Sequence, residues 1–80
     1  MKVGLFSPSS GPLYQGQAQR VAAVSVTGAF EVLEGHAPLV AALASAPLRI
    51  LTPEGEKTFS LQGGFLWVDP QGEVHILAKV

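Results

Sequence analysis

Apolar and polar side chains alternate one for one at the end of this chain. Val74, Ile76, Ala78 and Val80 fall on one side and Glu73, His75 and Lys79 on the other, with Leu77 the exception. Order of period two predicts an antiparallel strand with one wetted face. Thr58, Ser60 and Gln62 alternate in the same way with Lys57, Phe59 and Leu61, and Phe65, Trp67 and Asp69 alternate with Leu66 and Val68. Turn signals divide the chain at short intervals. They are the Ser/Gly/Pro cluster from Pro8 to Pro12, Gly28, Gly35 with Pro38, Pro47, Pro53-Glu54-Gly55, Gly63-Gly64 and Asp69-Pro70-Gln71-Gly72. Short segments rich in Val, Leu, Phe and Ile between such breakers predict an all-β protein. The expected architecture is a two-layer antiparallel β-sandwich of roughly eight to ten short strands, forming a single domain over residues 1–80.

Two segments are less clear. Between Gln17 and Thr27, Ala18, Ala22 and Ala23 suit a helix, but Val21, Val24, Val26 and Thr27 are β-branched and favour a strand. Neither period-two set there is cleanly polar, so a strand covered on both sides is expected. The stretch Ala37 to Ala46 fits either a short helical turn after Pro38 or a short strand, and the strand is preferred. Pro53-Glu54-Gly55 should join Leu48–Thr52 to Lys57–Gln62 as a hairpin, and Pro70-Gln71-Gly72 should join the last two strands. Gly63-Gly64 interrupts what would otherwise be one long strand, which implies a bulge or a sharp corner between sheets.

Composition adds a partner to this picture. The chain has 80 residues, 48% of them hydrophobic and only 14% charged, against about 25% charged in ordinary domains. A domain this small keeps much of its surface, so part of the apolar content is expected outside, where apolar patches mark binding surfaces. The net charge of -1 and the dispersed cations Lys2, Arg20, Arg49, Lys57 and Lys79 give no footing for nucleic acid. There is no cysteine, hence no disulfide or thiolate chemistry. No run approaches the roughly 20 apolar residues of a membrane span, so contact with a membrane is expected only through partner subunits.

The polar inventory is poor for catalysis. The histidines are His36 and His75, the one aspartate is Asp69, and no spacing among them suggests a metal site. Asp69 before Pro70 reads as a turn starter, and His75 as a surface residue on the wet side of its strand. No pair of acids is singled out, and Gly63-Gly64 lacks the pattern of a phosphate loop. The chain is therefore not expected to be an enzyme, and no cofactor or metal is expected. His36 stands apart, because Gly35 permits an unusual backbone angle before it and Pro38 fixes the exit after it. Its imidazole is held on a defined corner, either tying the corner to backbone groups or meeting a partner.

The segment Gly28-Ala29-Phe30-Glu31-Val32-Leu33-Glu34-Gly35-His36-Ala37-Pro38-Leu39 resembles the signature of the epsilon subunit of F-type ATP synthases. Leu13-Tyr14-Gln15-Gly16, Pro47-Leu48-Arg49-Ile50, Gln62-Gly63-Gly64-Phe65-Leu66-Trp67-Val68 and Val74-His75-Ile76-Leu77-Ala78 resemble further family elements in the right order. Glu31 departs from the usual glycine and Glu34 from the usual proline, the loop at Thr27-Gly28 is shorter, and Gln62 replaces a common serine. The resemblance implies a non-catalytic rotor subunit of the central stalk that binds the gamma subunit and the c ring and couples proton flow to ATP synthesis. It places the protein on the cytoplasmic face of the bacterial inner membrane. By family position, Ser7, His36, Val40 and Ala41 would face gamma, and Gly28, Ala29, Phe30 and Glu31, with Thr27, would face the c ring. Gly35, Pro38, Gly63 and Gly64 would shape turns. The family's C-terminal helical hairpin, with its inhibitory and ATP-binding roles, has no counterpart in these residues. The rival expectation is a free-standing β-sandwich that binds carbohydrate or peptide, with Trp67, Phe65 and Tyr14 as an exposed aromatic platform.

Overall fold

The computed structural model describes residues 1–80 and contains nine strands and no helix. They are β1 (Lys2–Ser7), β2 (Gly11–Gln17), β3 (Arg20–Ser25), β4 (Gly28–Leu33), β5 (Leu39–Leu43), β6 (Pro47–Thr52), β7 (Gly55–Ser60), β8 (Gly64–Val68) and β9 (Val74–Ala78). Hydrogen bonds link them in the order β2-β1-β9-β8-β5-β3-β6-β7, with β4 on the free side of β3. The link between β5 and β3 is one residue pair, Ser25 with Leu43. The sheet therefore curls at that point into two layers, β2-β1-β9-β8-β5 and β4-β3-β6-β7, which is the expected all-β sandwich. One expectation is corrected. The layers are not wholly antiparallel, because β1 runs parallel to β9. Strands of opposite ends of the chain meet there, with no tight turn to impose the antiparallel sense.

Both layers turn their alternate apolar residues inward. The first layer supplies Val3, Leu5, Leu43, Leu66, Val68, Val74, Ile76 and Ala78, and the second supplies Val21, Ala23, Val32, Leu48 and Ile50. The last strand behaves as its alternation predicts up to Ala78, but Val80 lies beyond it and is exposed. The ambiguous segment after Gln17 is a strand only from Arg20 to Ser25. Val21 and Ala23 point into the core, while Arg20, Ala22 and Val24 on the other face are half covered. The preferred strand after Pro38 is present as β5.

The corner at Gly63-Gly64 carries the chain from the edge of the second layer into the middle of the first. Leu61 and Ala46 exchange backbone bonds on one side of it, and on the other the amide of Lys79 donates to the Gly63 carbonyl. Gly64 has φ +149, and a Cβ there would meet the Leu77 carbonyl oxygen and lie 2.6 Å from the Ala78 Cα. Only glycine fits such an approach. In β2, Leu13 is the extra residue opposite the step between Leu5 and Phe6 of β1, a β-bulge.

Candidate functional site

The outward face of the first layer carries two cross-strand rows. One runs Val40, Trp67, His75, Gly4, Gln15, and the next runs Ala42, Phe65, Leu77, Phe6, Pro12. Neither row contains a carboxylate or an amine. Val40 is 78% exposed, Phe65 55%, Leu77 44% and Trp67 38%. These side chains alternate with the buried Leu66 and Ile76, so each is out because its neighbours are in. The second layer presents a different face. Its rows run Glu31, Ala22, Arg49, Thr58 and Leu33, Arg20, Leu51, Glu56, so charges are interleaved in both, while the pair Ala29 and Val24 nearer the tip is uncharged. The outer face of the first layer thus has an uncharged centre, an apolar flank bordered by Lys2, Asp69 and Glu73, whereas the second layer carries charge in both of these rows.

Within the apolar flank, three side chains are locked together. The His75 ring stacks on the Trp67 indole with centroids 5.3 Å apart and planes 19° from parallel. His75 Nε2 lies 2.9 Å from Asp69 Oδ2. Asp69 Oδ1 accepts the backbone N–H groups of Gln71 and Glu73, each at 2.9 Å, as a turn-starting aspartate does. The hydrogen bond from His75, followed by that from the Glu73 amide, holds the Asp69 carboxyl below its ordinary value. Asp69, Glu73 and His75 place ligand-type atoms within 4.8 Å of one another. Sequence spacing gave no hint of that cluster, but both Asp69 oxygens are already engaged, so the cluster acts as a clamp on the β8–β9 turn. His75 thus differs from the plain surface residue expected. The signal that points to it is positional. His75 and Trp67 are the same distance from the turn on paired strands, and facing residues in such a pair touch.

The expected gamma-facing residues do not share one surface. Val40 lies in the centre of the apolar flank, whereas Ala41 points the other way and is half-buried. Ser7 is 3% exposed in the isolated chain, with its Oγ 3.3 Å from Ser9 Oγ. His36 is half-buried on its corner after Gly35, whose φ is +84. Its Nδ1 lies 2.6 Å from the Ala37 carbonyl, and its amide donates to the Leu33 carbonyl at 3.0 Å. The ring thus ties its own corner, and its Nε2 remains for other contacts.

The expected ring-facing residues form the β3–β4 hairpin, where Val26 and Thr27 make a two-residue turn between Ser25 and Gly28. Ser25 Oγ accepts the Thr27 amide at 3.1 Å and donates to the Gly28 carbonyl at 3.0 Å, which stiffens the tip. Gly28, Ala29 and Glu31 are exposed. Phe30 instead turns inward and packs against the core. Val26 is the large apolar residue that projects at this tip, 71% exposed, and the resemblance did not point to it.

Trp67 and Phe65 do project side by side from β8, as a platform would require. Tyr14 does not join them. It packs against the core and donates its hydroxyl to the Gln17 carbonyl at 2.6 Å.

The family model for the beta-sandwich domain of the ATP synthase delta/epsilon chain matches residues 1–80. The chain is 45% identical over 68 residues to the ATP synthase epsilon chain of Chlorobaculum tepidum, covering 84% of this chain and 77% of that one. It is 35% identical over 79 residues to the epsilon chain of Anoxybacillus flavithermus, covering 99% of this chain and 58% of that one. Among solved structures, a chain of the Euglena gracilis mitochondrial ATP synthase (OSCP/F1/c-ring) superposes with a TM-score of 0.85 at 26% identity, covering 95% of this chain and 48% of that one. A chain of the Tetrahymena thermophila mitochondrial ATP synthase central stalk and c-ring superposes with a TM-score of 0.84 at 19% identity, covering 100% and 63%; that likeness is one of fold. With the signature segment, the curled sandwich and the family match over residues 1–80 together, the chain belongs to the ATP synthase delta/epsilon family, as its β-sandwich domain.

Proposed function

We propose that this chain works as a non-catalytic central-stalk subunit of a proton-translocating F-type ATP synthase, on the cytoplasmic face of a bacterial inner membrane. The apolar flank docks the gamma subunit and the β3–β4 tip meets the c ring. The observation that carries this reading is the contrast between the two flanks. Val40, Phe65, Trp67 and Leu77 project from rows without a formal charge, while the opposite face interleaves Glu31, Arg49 and Glu56. A subunit that must transmit torque needs a shape that does not yield and one surface that grips. A close-packed two-layer interior supplies the first, and an exposed apolar patch supplies the second. The subunit itself breaks and forms no covalent bond.

The test is co-purification with gamma and a c ring. Wild-type chain should be retained by gamma. A chain carrying Val40→Asp and Phe65→Asp should be released, with its denaturation midpoint nearly unchanged because both side chains already lie in water. Retention of that double variant at wild-type strength would show that gamma docks elsewhere.

A further inference from the structure

We infer that Trp67 is the anchor of the docking flank, and that His75 and Asp69 are its positioning residues. The inference rests on the flank reading above and deepens it. Trp67 lies at the centre of the patch, paired with Val40 on one side and His75 on the other and two residues from Phe65 on its own strand. Energetic anchors in protein interfaces are enriched in Trp, sit centrally, and are ringed by contacts that exclude water. Val40, Phe65 and Leu77 are placed to form that ring. An exposed indole ordinarily samples several rotamers, and ordering it on binding costs affinity. Here that ordering is already done. The His75 ring lies along one face of the indole, the His75 ring is fixed by Asp69 Oδ2, and Asp69 is fixed by two backbone amides of its own turn. The chain of contacts runs from rigid backbone to exposed indole.

The occupant is the gamma subunit. Its matching surface is apolar, with a recess for one indole and an acceptor for the indole N–H, which a buried Trp requires. Opposite the two central rows it is also poor in charge, because neither row offers a formal counter-charge, while Lys2, Asp69 and Glu73 border them. Beside His75, on the side away from Trp67, the Phe6 ring lies over Gly4, its Cε2 3.0 Å from where a Cβ would stand, and Lys2, Gln15 and Glu73 line the shallow recess around it.

The experiment measures affinity for the purified gamma subunit by calorimetry and compares four variants of the chain. Trp67→Ala should weaken binding about 30-fold or more, the loss expected of an interface anchor. Asp69→Asn and His75→Ala should weaken it less, by about three- to tenfold, while Trp67 fluorescence anisotropy falls as the indole is freed. This is a readout that a merely structural role at the flank would not move. His75→Phe keeps the stack without the hydrogen bond to Asp69 and should restore most of the affinity that His75→Ala loses. Trp67→Ala binding within twofold of wild type overturns the inference, as does unchanged anisotropy in His75→Ala. Failure here is distinct from failure of the docking face. If Val40→Asp with Phe65→Asp abolishes binding but Trp67→Ala does not, the face stands and the anchor falls. If neither change affects binding, the face itself is wrong.

Discussion

Asp69 shows how one short side chain serves a turn and a surface at once. Its Oδ1 organises the β8–β9 turn and its Oδ2 holds His75. The hydrogen bond from His75 and the one from the Glu73 amide favour the charged carboxylate and lower its pKa from the ordinary 3.8. A carboxyl with a depressed folded-state pKa contributes stability that is fully present above its unfolded value and is lost as pH falls through the folded one. Asp69→Asn should therefore be less stable than the parent at neutral pH, and the gap should close in acid below the ordinary carboxyl range. Urea midpoints measured from pH 7 down to pH 2 check this, and a gap that stays constant across the range would show that the carboxylate charge contributes nothing. The turn-forming half of this residue was readable from Asp-Pro-Gln-Gly alone. The other half was not, because it depends on a histidine brought back by the partner strand six positions on, and sequence spacing does not give the side from which that ring approaches. Ser7 makes the opposite point. Resemblance placed it at a partner surface, yet alternation along β1 puts it on the same side as the buried Val3 and Leu5.

Strands were predictable where one side of the sheet is wet and the other dry. Val74, Ile76 and Ala78 went in, as did Leu66 and Val68, and the turns fell where Gly, Pro and Asp cluster. The segment after Gln17 was harder, because its outward residues are alanine and valine and carry no polar mark; only tertiary pairing with β4 on one side and β6 on the other fixes it as strand. The parallel meeting of β1 and β9 has no local signal at all, since it joins residues about seventy positions apart. The corner between β7 and β8 lies between these cases. The Gly-Gly pair announced an irregularity, and the structure supplies its reason in the β9 backbone that crowds Gly64. Gly64→Ala should destabilise the fold by about 3 kcal/mol or more, summing a disfavoured φ with a clash that rigid backbone cannot relieve. Gly72→Ala is the control. Its φ is +83, but nothing lies within 4 Å of the added carbon, so it should cost only about 1 kcal/mol. Chemical denaturation measures both, and equal losses would mean that the corner is looser than its contacts indicate. For a domain of this size, 3 kcal/mol is a large part of its total stability.

The molecule measures 27 × 27 × 18 Å, and its thin dimension is that of two packed sheets about 10 Å apart plus their outer side chains. Such a slab has two broad flanks and a rim, and the chain has made them unequal. The apolar rows lie on one flank, the interleaved charges on the other, and the β3–β4 tip projects from the rim with Val26 and Ala29 exposed. If gamma and the c ring take the flank and the tip as proposed, protection must follow the same geography. The absence of cysteine makes this measurable, because a single introduced thiol is the only one on this chain and its labelling is read on this chain alone. Val40→Cys, Ala29→Cys and Thr58→Cys all replace side chains that already face water, so the fold should accept each. Gamma alone should slow alkylation at position 40 by about tenfold or more, as exclusion of solvent from an interface core requires. Position 29 should react freely until the c ring is added and should then be shielded. Position 58, on the charged flank, should react at the same rate in all three states. Protection of position 58 by gamma, or indifference of position 40, would reverse the assignment of the flanks. Shielding of position 29 by gamma alone would show instead that gamma reaches around the rim, leaving the tip no separate role.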